Sequence, residues 1–201
     1  CKLKRELNQS NTNSFYFTTE FSTDDYNGYS LIFTKDEIKT NMKLPLSDIE
    51  KAALRKHKIK IANILHFTVD ELEVLLNSTP ERAKEIYALA QFQTVPSVGI
   101  KFAEDLVFLG YHSLEELKKQ DGAKLTDDYE LKKGYWIDPC VEDQFRLIVN
   151  FANTKDTTKT WWNFTEERKK FRTENGYPNS RPQKAWFEIL GYPRKDNKGG
   201  Q

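Results

Sequence analysis

The sequence predicts an all-α protein from residue 42 onward, and three observations carry that prediction. Serine or threonine caps followed three residues later by glutamate recur along the chain. Apolar residues return at helical spacing. Strand-like alternation is almost absent after residue 41.

The elements follow in order. Ser47 and Glu50 of "SDIE" form a capping box that opens a helix predicted to run through the basic stretch "LRKHKIK". Thr68 and Glu71 of "TVDE" open a second helix, with Leu72, Leu75 and Leu76 on one face. "TPER" puts Thr79 at a cap and Pro80 in the first turn of a third, which carries Ala83, Ile86, Tyr87 and Ala90 at helical spacing and ends near Phe92. A fourth helix is predicted from about Ile100 to Leu109, stopped by Gly110. "SLEE" (Ser113, Glu116) predicts a short fifth. "IDPC" sets Asp138 at a cap and Pro139 in the first turn of a helix burying Val141, Phe145, Ile148, Val149 and Ala152. A further helix is expected within "TKTWWNFTEERKKFR", after Asn163 or Thr165.

Three regions follow from these patterns. Residues 42–152 form the helical domain. Residues 153–201 form a basic, aromatic, turn-rich segment expected to dock on it through Trp161, Trp162, Phe171, Tyr177 and Trp186, with a ragged tail after about residue 193. Residues 1–41 alternate aromatic and polar residues around a candidate Asn27-Gly28 hairpin turn. Met42 is the only methionine, so it is read as the natural start, and residues 1–41 as an N-terminal extension, disordered or non-native; a genuine extension is the alternative.

Composition narrows the function. The 201 residues are 30% charged and 38% hydrophobic, with no run near the ~18 apolar residues of a membrane span. No signal-peptide pattern opens the chain. Cys1 and Cys140 make neither a disulfide framework nor a four-ligand metal site, so a cytoplasmic protein is expected. Net charge is +1, yet residues 153–201 hold 11 Lys/Arg against 6 Asp/Glu, a hint of a polyanionic partner.

The most distinctive stretch is "TVPSVGIKFAEDLVFLGY", residues 94–111. A tight apolar turn, "VPSVGIK", joins two helical patterns. It resembles the helix-hairpin-helix DNA-binding motif, with Val95 and Pro96 in the first two turn places. Ser97 stands for the first glycine, Val98 for the isoleucine, and Gly99 keeps the second glycine. Ile100 replaces a proline, while Lys101, Ala103, Leu106 and Gly110 match. Such a turn presents successive amides at a helix N-terminus, where the dipole favours anions. Gly99 is expected to take a positive φ and let a phosphate approach, Lys101 to add charge, and Val98 to tie the turn to the core. The predicted phosphate site is Ser97, Val98, Gly99, Ile100, Lys101 and Phe102. It grips backbone and reads no sequence. A structural helix–helix connection is the plainer alternative.

"ANILHFTVDELEVLLNSTPERAKEIY" is read as a degenerate earlier copy whose glycine-free turn is structural. Together the copies predict a tandem helix-hairpin-helix (SAM-like) domain of five helices. More widely, "VPSVGIKFAEDLVFLGYHSLEELK", "WIDPCVEDQFRLIVNFAN", "WWNFTEERKKFR" and "RPQKAWFE" resemble a bacterial family named after a pathogenicity locus. Its members are small helix-hairpin-helix proteins, some labelled as related to mitomycin resistance. The resemblance covers most of residues 50–190. It implies a DNA-binding-type fold with no established biochemical activity.

Other candidates have plainer roles beside them. Asp138 and Cys140 are the only catalytic candidates: Asp138 by loose likeness to helix-hairpin-helix DNA glycosylases, Cys140 as a thiol in a helix's first turn. Their plain roles are a helix cap and a small buried hydrophobe. Arg168, Lys169, Lys170 and Arg172 are secondary phosphate contacts or a solvated face, and the run from Arg55 to Lys60 is balanced the same way. Trp161 and Trp162 are read as core rather than base-stacking platforms. His57, His66 and His112 lack ligand spacing, so no metal and no cofactor are expected. DNA is the expected partner; a non-catalytic protein-interaction module is the alternative, and a glycosylase-type repair enzyme comes third.

Overall fold

A computed structural model gives the structure of the protein and describes residues 42–191. The expectations for residues 1–41 and for the tail after about residue 193 lie outside the described residues. Helices dominate, as predicted, and no sheet forms among the described residues; a single parallel bridge joins Trp136 to Ala185.

Helix α1 (Asp48–Lys56) begins as the sequence predicts. The Glu50 amide donates to Ser47 Oγ (3.2 Å) while the Ser47 amide donates to the Glu50 carboxylate (2.6 Å). It stops short of its expected end. Lys58 turns left-handed (φ 55°), its amide bonds the Arg55 carbonyl (3.0 Å), and the Ile59 amide reaches back to the Leu54 carbonyl (2.9 Å). That pair of bonds is a Schellman closure, sealed by Ile59 beside the buried Leu54. A 3-10 turn (Ile61–His66) leads to α2 (Val69–Leu76), which opens on the Thr68–Glu71 capping box. Left-handed Asn77 (φ 50°) ends it. Helix α3 (Pro80–Phe92) starts on Thr79, and α4 (Ile100–Leu109) closes on left-handed Gly110.

Two departures follow. "SLEE" makes only turns: the Glu116 amide does bond Ser113 Oγ, but the Glu116 carboxylate accepts from the His112 amide rather than from the cap residue. The box is out of register by one residue, and no helix propagates. Next comes α5 (Gly122–Lys133), which the sequence analysis did not anticipate. Asp121 caps it and left-handed Gly134 ends it. Its buried face mixes Leu125 and Tyr129 with Gly122, Thr126 and Glu130, so it shows almost no apolar periodicity. Gly122 is required by packing: a Cβ there would stand 2.7 Å from Arg146 Cγ and 2.8 Å from its Cα, so it sets how closely α5 approaches the next helix.

That helix is α6 (Pro139–Thr154), capped by Asp138. A 3-10 turn (Trp161–Phe164) and α7 (Thr165–Asn175) follow, and a single turn, α8 (Trp186–Ile189), ends the described chain. The main core joins α3 to α6, with Phe102 edge-on to Phe145 at 4.9 Å and Tyr129 beside Phe145. A second core gathers Leu54, Ile64, Leu72, Leu76 and Ile86. Helix α3 serves both: Leu89 and Phe92 face the first, Ala83, Ile86 and Ala90 the second.

Candidate nucleic-acid interface

The hairpin between α3 and α4 is built from buried apolar side chains and exposed backbone. Val95, Val98 and Phe102 are buried in the main core, so Phe102 offers its amide and not its ring. Within the turn, the Val95 amide bonds the Phe92 carbonyl and the Val98 amide the Val95 carbonyl (3.2 Å each). One brace escaped the sequence analysis. Buried Gln93 donates to the Lys43 carbonyl (2.8 Å) and accepts from the Lys43 amide (3.2 Å), pinning the segment before α1 to the C-cap of α3, just ahead of the turn. No local pattern marks a partner 50 residues away.

The backbone corrects one expectation. Gly99 is extended (φ −106°, ψ 176°), and Ser97 takes the left-handed place (φ 63°). The positive φ therefore falls where the motif's first glycine stands, and serine bears its cost. Gly99 matters differently. A Cβ there would meet nothing within 4 Å, so its lack of a side chain leaves the end of α4 open.

That end is distinctive electrostatically. No side chain caps α4 and no acidic residue lies in its first turn. Among the described α-helices it alone has neither: α1, α2, α3, α5 and α6 have side-chain caps, α7 carries Glu166 and Glu167 in its first turn, and α8 carries Glu188. The unused N–H groups there carry the positive end of the helix dipole. Lys101 stands beside them, its side chain 88% exposed and paired with Glu104 at 2.9 Å. Glu104 holds the ammonium above its ordinary pKa through that hydrogen bond. An exposed pair of this kind is weak and yields readily to a stronger anion.

The secondary basic residues divide. Arg168 donates twice to Asp143 (2.8 and 3.2 Å), and Arg172 reaches Glu142 (2.8 Å) and Asp127 (2.9 Å). Both guanidinium groups are turned inward onto α5 and α6. Only Lys169, paired with Glu166, and Lys170 face solvent, so the four do not share one basic face. Trp161 packs against the main core and Trp162 is 55% exposed, the two edge-to-face at 5.5 Å.

Asp138 accepts from the Cys140 amide (2.9 Å) and caps α6. The Cys140 thiol is pushed up to about 12, first by burial and then by its hydrogen bond to Asp138. These outweigh the helix N-terminus, which alone favours thiolate. The raised value means that the folded state resists ionisation, and that stability falls as pH rises past 9 toward 12. In a Cys1→Ser chain, iodoacetamide at pH 8 is expected to label Cys140 at least a hundredfold more slowly than it labels a model thiol (on the order expected from thiolate fraction). Equal rates would refute the assignment. No group of three His, Cys, Asp or Glu suited to a metal exists among the described residues, and no helix there is long and apolar enough to cross a membrane.

Comparison with known proteins gives a family match. The model of a family described as pathogenicity locus matches residues 85–170, from inside α3 to inside α7, including the hairpin and the Asp138-Pro139-Cys140-Val141 cap. No curated protein and no solved structure matches the chain.

Proposed function

We propose that this chain is a helix-hairpin-helix protein that binds DNA without strong sequence preference, holding backbone phosphate at the amides of Ser97 and residues 99–102, while the Val98 amide is engaged by the Val95 carbonyl. The observation that carries this reading is the open end of α4, with no capping side chain, no first-turn acid and no Cβ at Gly99. Lys101 adds mobile charge. The earlier connection, between α2 and α3, has its helix end occupied: Thr79 accepts from the Arg82 amide. This supports a tandem domain in which only the second hairpin binds phosphate. Cys140 is unbridged, which fits a reducing cytoplasm. Asp138 is engaged as a cap, and no catalytic step is proposed for it.

Duplex titrations at two salt concentrations test the reading. Gly99→Glu should fold normally, since its backbone is extended and its Cβ direction is open. It should weaken binding by about tenfold or more, because a carboxylate then occupies the phosphate's place. Ser97→Gly relieves the left-handed serine and should raise the Tm while binding at least as tightly. Unchanged affinity in folded Gly99→Glu would eliminate the hairpin as the site.

A further inference from the structure

We infer that the loop closing α1, residues 55–60, is a second contact for nucleic-acid backbone, distinct from the hairpin. The inference deepens the DNA-binding reading and rests on it for the class of ligand.

The sequence is one-sided here. Residues 51–69 carry five Lys/Arg, two His and no Asp or Glu. Arg55, Lys56, His57, Lys58 and Lys60 are all exposed. Elsewhere the fold uses its arginines internally: Arg82, Arg146, Arg168, Arg172 and Arg181 each hold a carboxylate. Arg55 is the one arginine among the described residues with no ion pair, and Lys56, Lys58 and Lys60 have none either. The dipole of α1 accounts for Arg55 and Lys56 in its last turn. It does not account for Lys58 and Lys60, which lie beyond the helix.

The loop is also a built structure. The two Schellman bonds, Ile59 to Leu54 and Lys58 to Arg55, fix its path, and Ile59 and Ile61 anchor it inward on the second core. A backbone so held adds no loop-ordering cost when the loop meets an anion, so only the exposed side chains must order. Lys58 sits left-handed where glycine is the usual occupant, so the backbone carries strain at the point where the loop presents a cation. The loop's own aliphatic residues face inward, which leaves nothing to insert into a bilayer and no apolar anchor for a protein interface. Clustered charge without apolar surface suits a phosphate backbone. The loop lies outside the residues that match the pathogenicity-locus family.

The test uses the full chain, a fluorescein-labelled duplex of about 20 base pairs and a potassium chloride series. The triple variant Lys56→Gln/Lys58→Gly/Lys60→Gln is compared with wild type and with Gly99→Glu. Loss of three cations should reduce the slope of log K against log salt by about two to three, and weaken binding tenfold or more at low salt. Its Tm should not fall, because Lys58→Gly removes the left-handed lysine. A more stable protein that binds less is an outcome that a purely structural loop would not give. An unchanged slope overturns the inference even if Gly99→Glu weakens binding. A reduced slope with Gly99→Glu equal to wild type upholds the loop and removes the hairpin. Wild-type binding to phosphatidylserine vesicles, with none to duplex, overturns both.

Discussion

Glu142→Ala is expected to lower the unfolding free energy by about 3 kcal/mol, toward the lower end of what losing half of a buried ion pair costs. Denaturant titration is the measurement. Glu142 is 1% exposed and holds two guanidinium groups, Arg146 at 2.7 Å from α6 itself and Arg172 at 2.8 Å from α7. Removing the carboxylate leaves two largely buried cations side by side. The loss is moderated because Arg146 keeps Glu167 and Arg172 keeps Asp127. Glu142→Gln, which keeps one acceptor oxygen but loses the charge and turns an NH2 toward the second guanidinium, should fall between alanine and wild type. A change below about 1 kcal/mol would show that the cluster contributes little to stability.

Glu130→Ala should cost about as much, roughly 3 kcal/mol or more, and with a local signature. This buried carboxylate accepts from the Ile137 amide (2.9 Å) and from Arg181 twice (2.7 and 2.9 Å). It therefore joins the end of α5 to the loop before α6 and to the chain's late segment. Arg181 also lies over the Tyr177 ring at 3.5 Å, and the Trp136–Ala185 bridge completes the dock. Without Glu130 the Ile137 amide is buried without its acceptor and Arg181 loses its anchor. Limited trypsinolysis should then cut after Lys184, since Pro182 blocks the bond after Arg181, under conditions that spare wild type. Equal protection of the Lys184–Ala185 bond would refute the anchoring role.

The helix caps were legible because a cap is a local device. Ser47, Thr68, Thr79 and Asp138 each bond an amide two or three residues ahead. Helix α5 was hidden because its inward face carries two polar residues: Thr126, which donates back to the Gly122 carbonyl one turn earlier, and Glu130, whose burial depends on Ile137 and Arg181 of other segments. Arg168 and Arg172 read as a basic face for the same reason: Asp143, Glu142 and Asp127 lie on other helices, and pairing across tens of residues leaves no spacing to recognise. At the hairpin, the motif placed the positive φ at Gly99, and the structure puts it at Ser97. Alignment with a pattern shows which side chain stands at a place, whereas φ at Ser97 and Gly99 is set by how Val95 and Val98 bury on either side.

Helix α3 has water on neither of its two broad faces, since Leu89 and Phe92 are covered from one side and Ala83, Ile86 and Ala90 from the other. The family match begins at residue 85, within the second turn of this helix. A fragment cut to the matched residues would lose Thr79 and Pro80, which start the helix, and would bare Ile86 and Ala90. The border of the matched segment and the border of the packed core therefore fall at different points in this chain. The N-terminal helices act as the missing wall of the matched segment, and the hairpin's geometry is inherited from a helix that two layers hold in common.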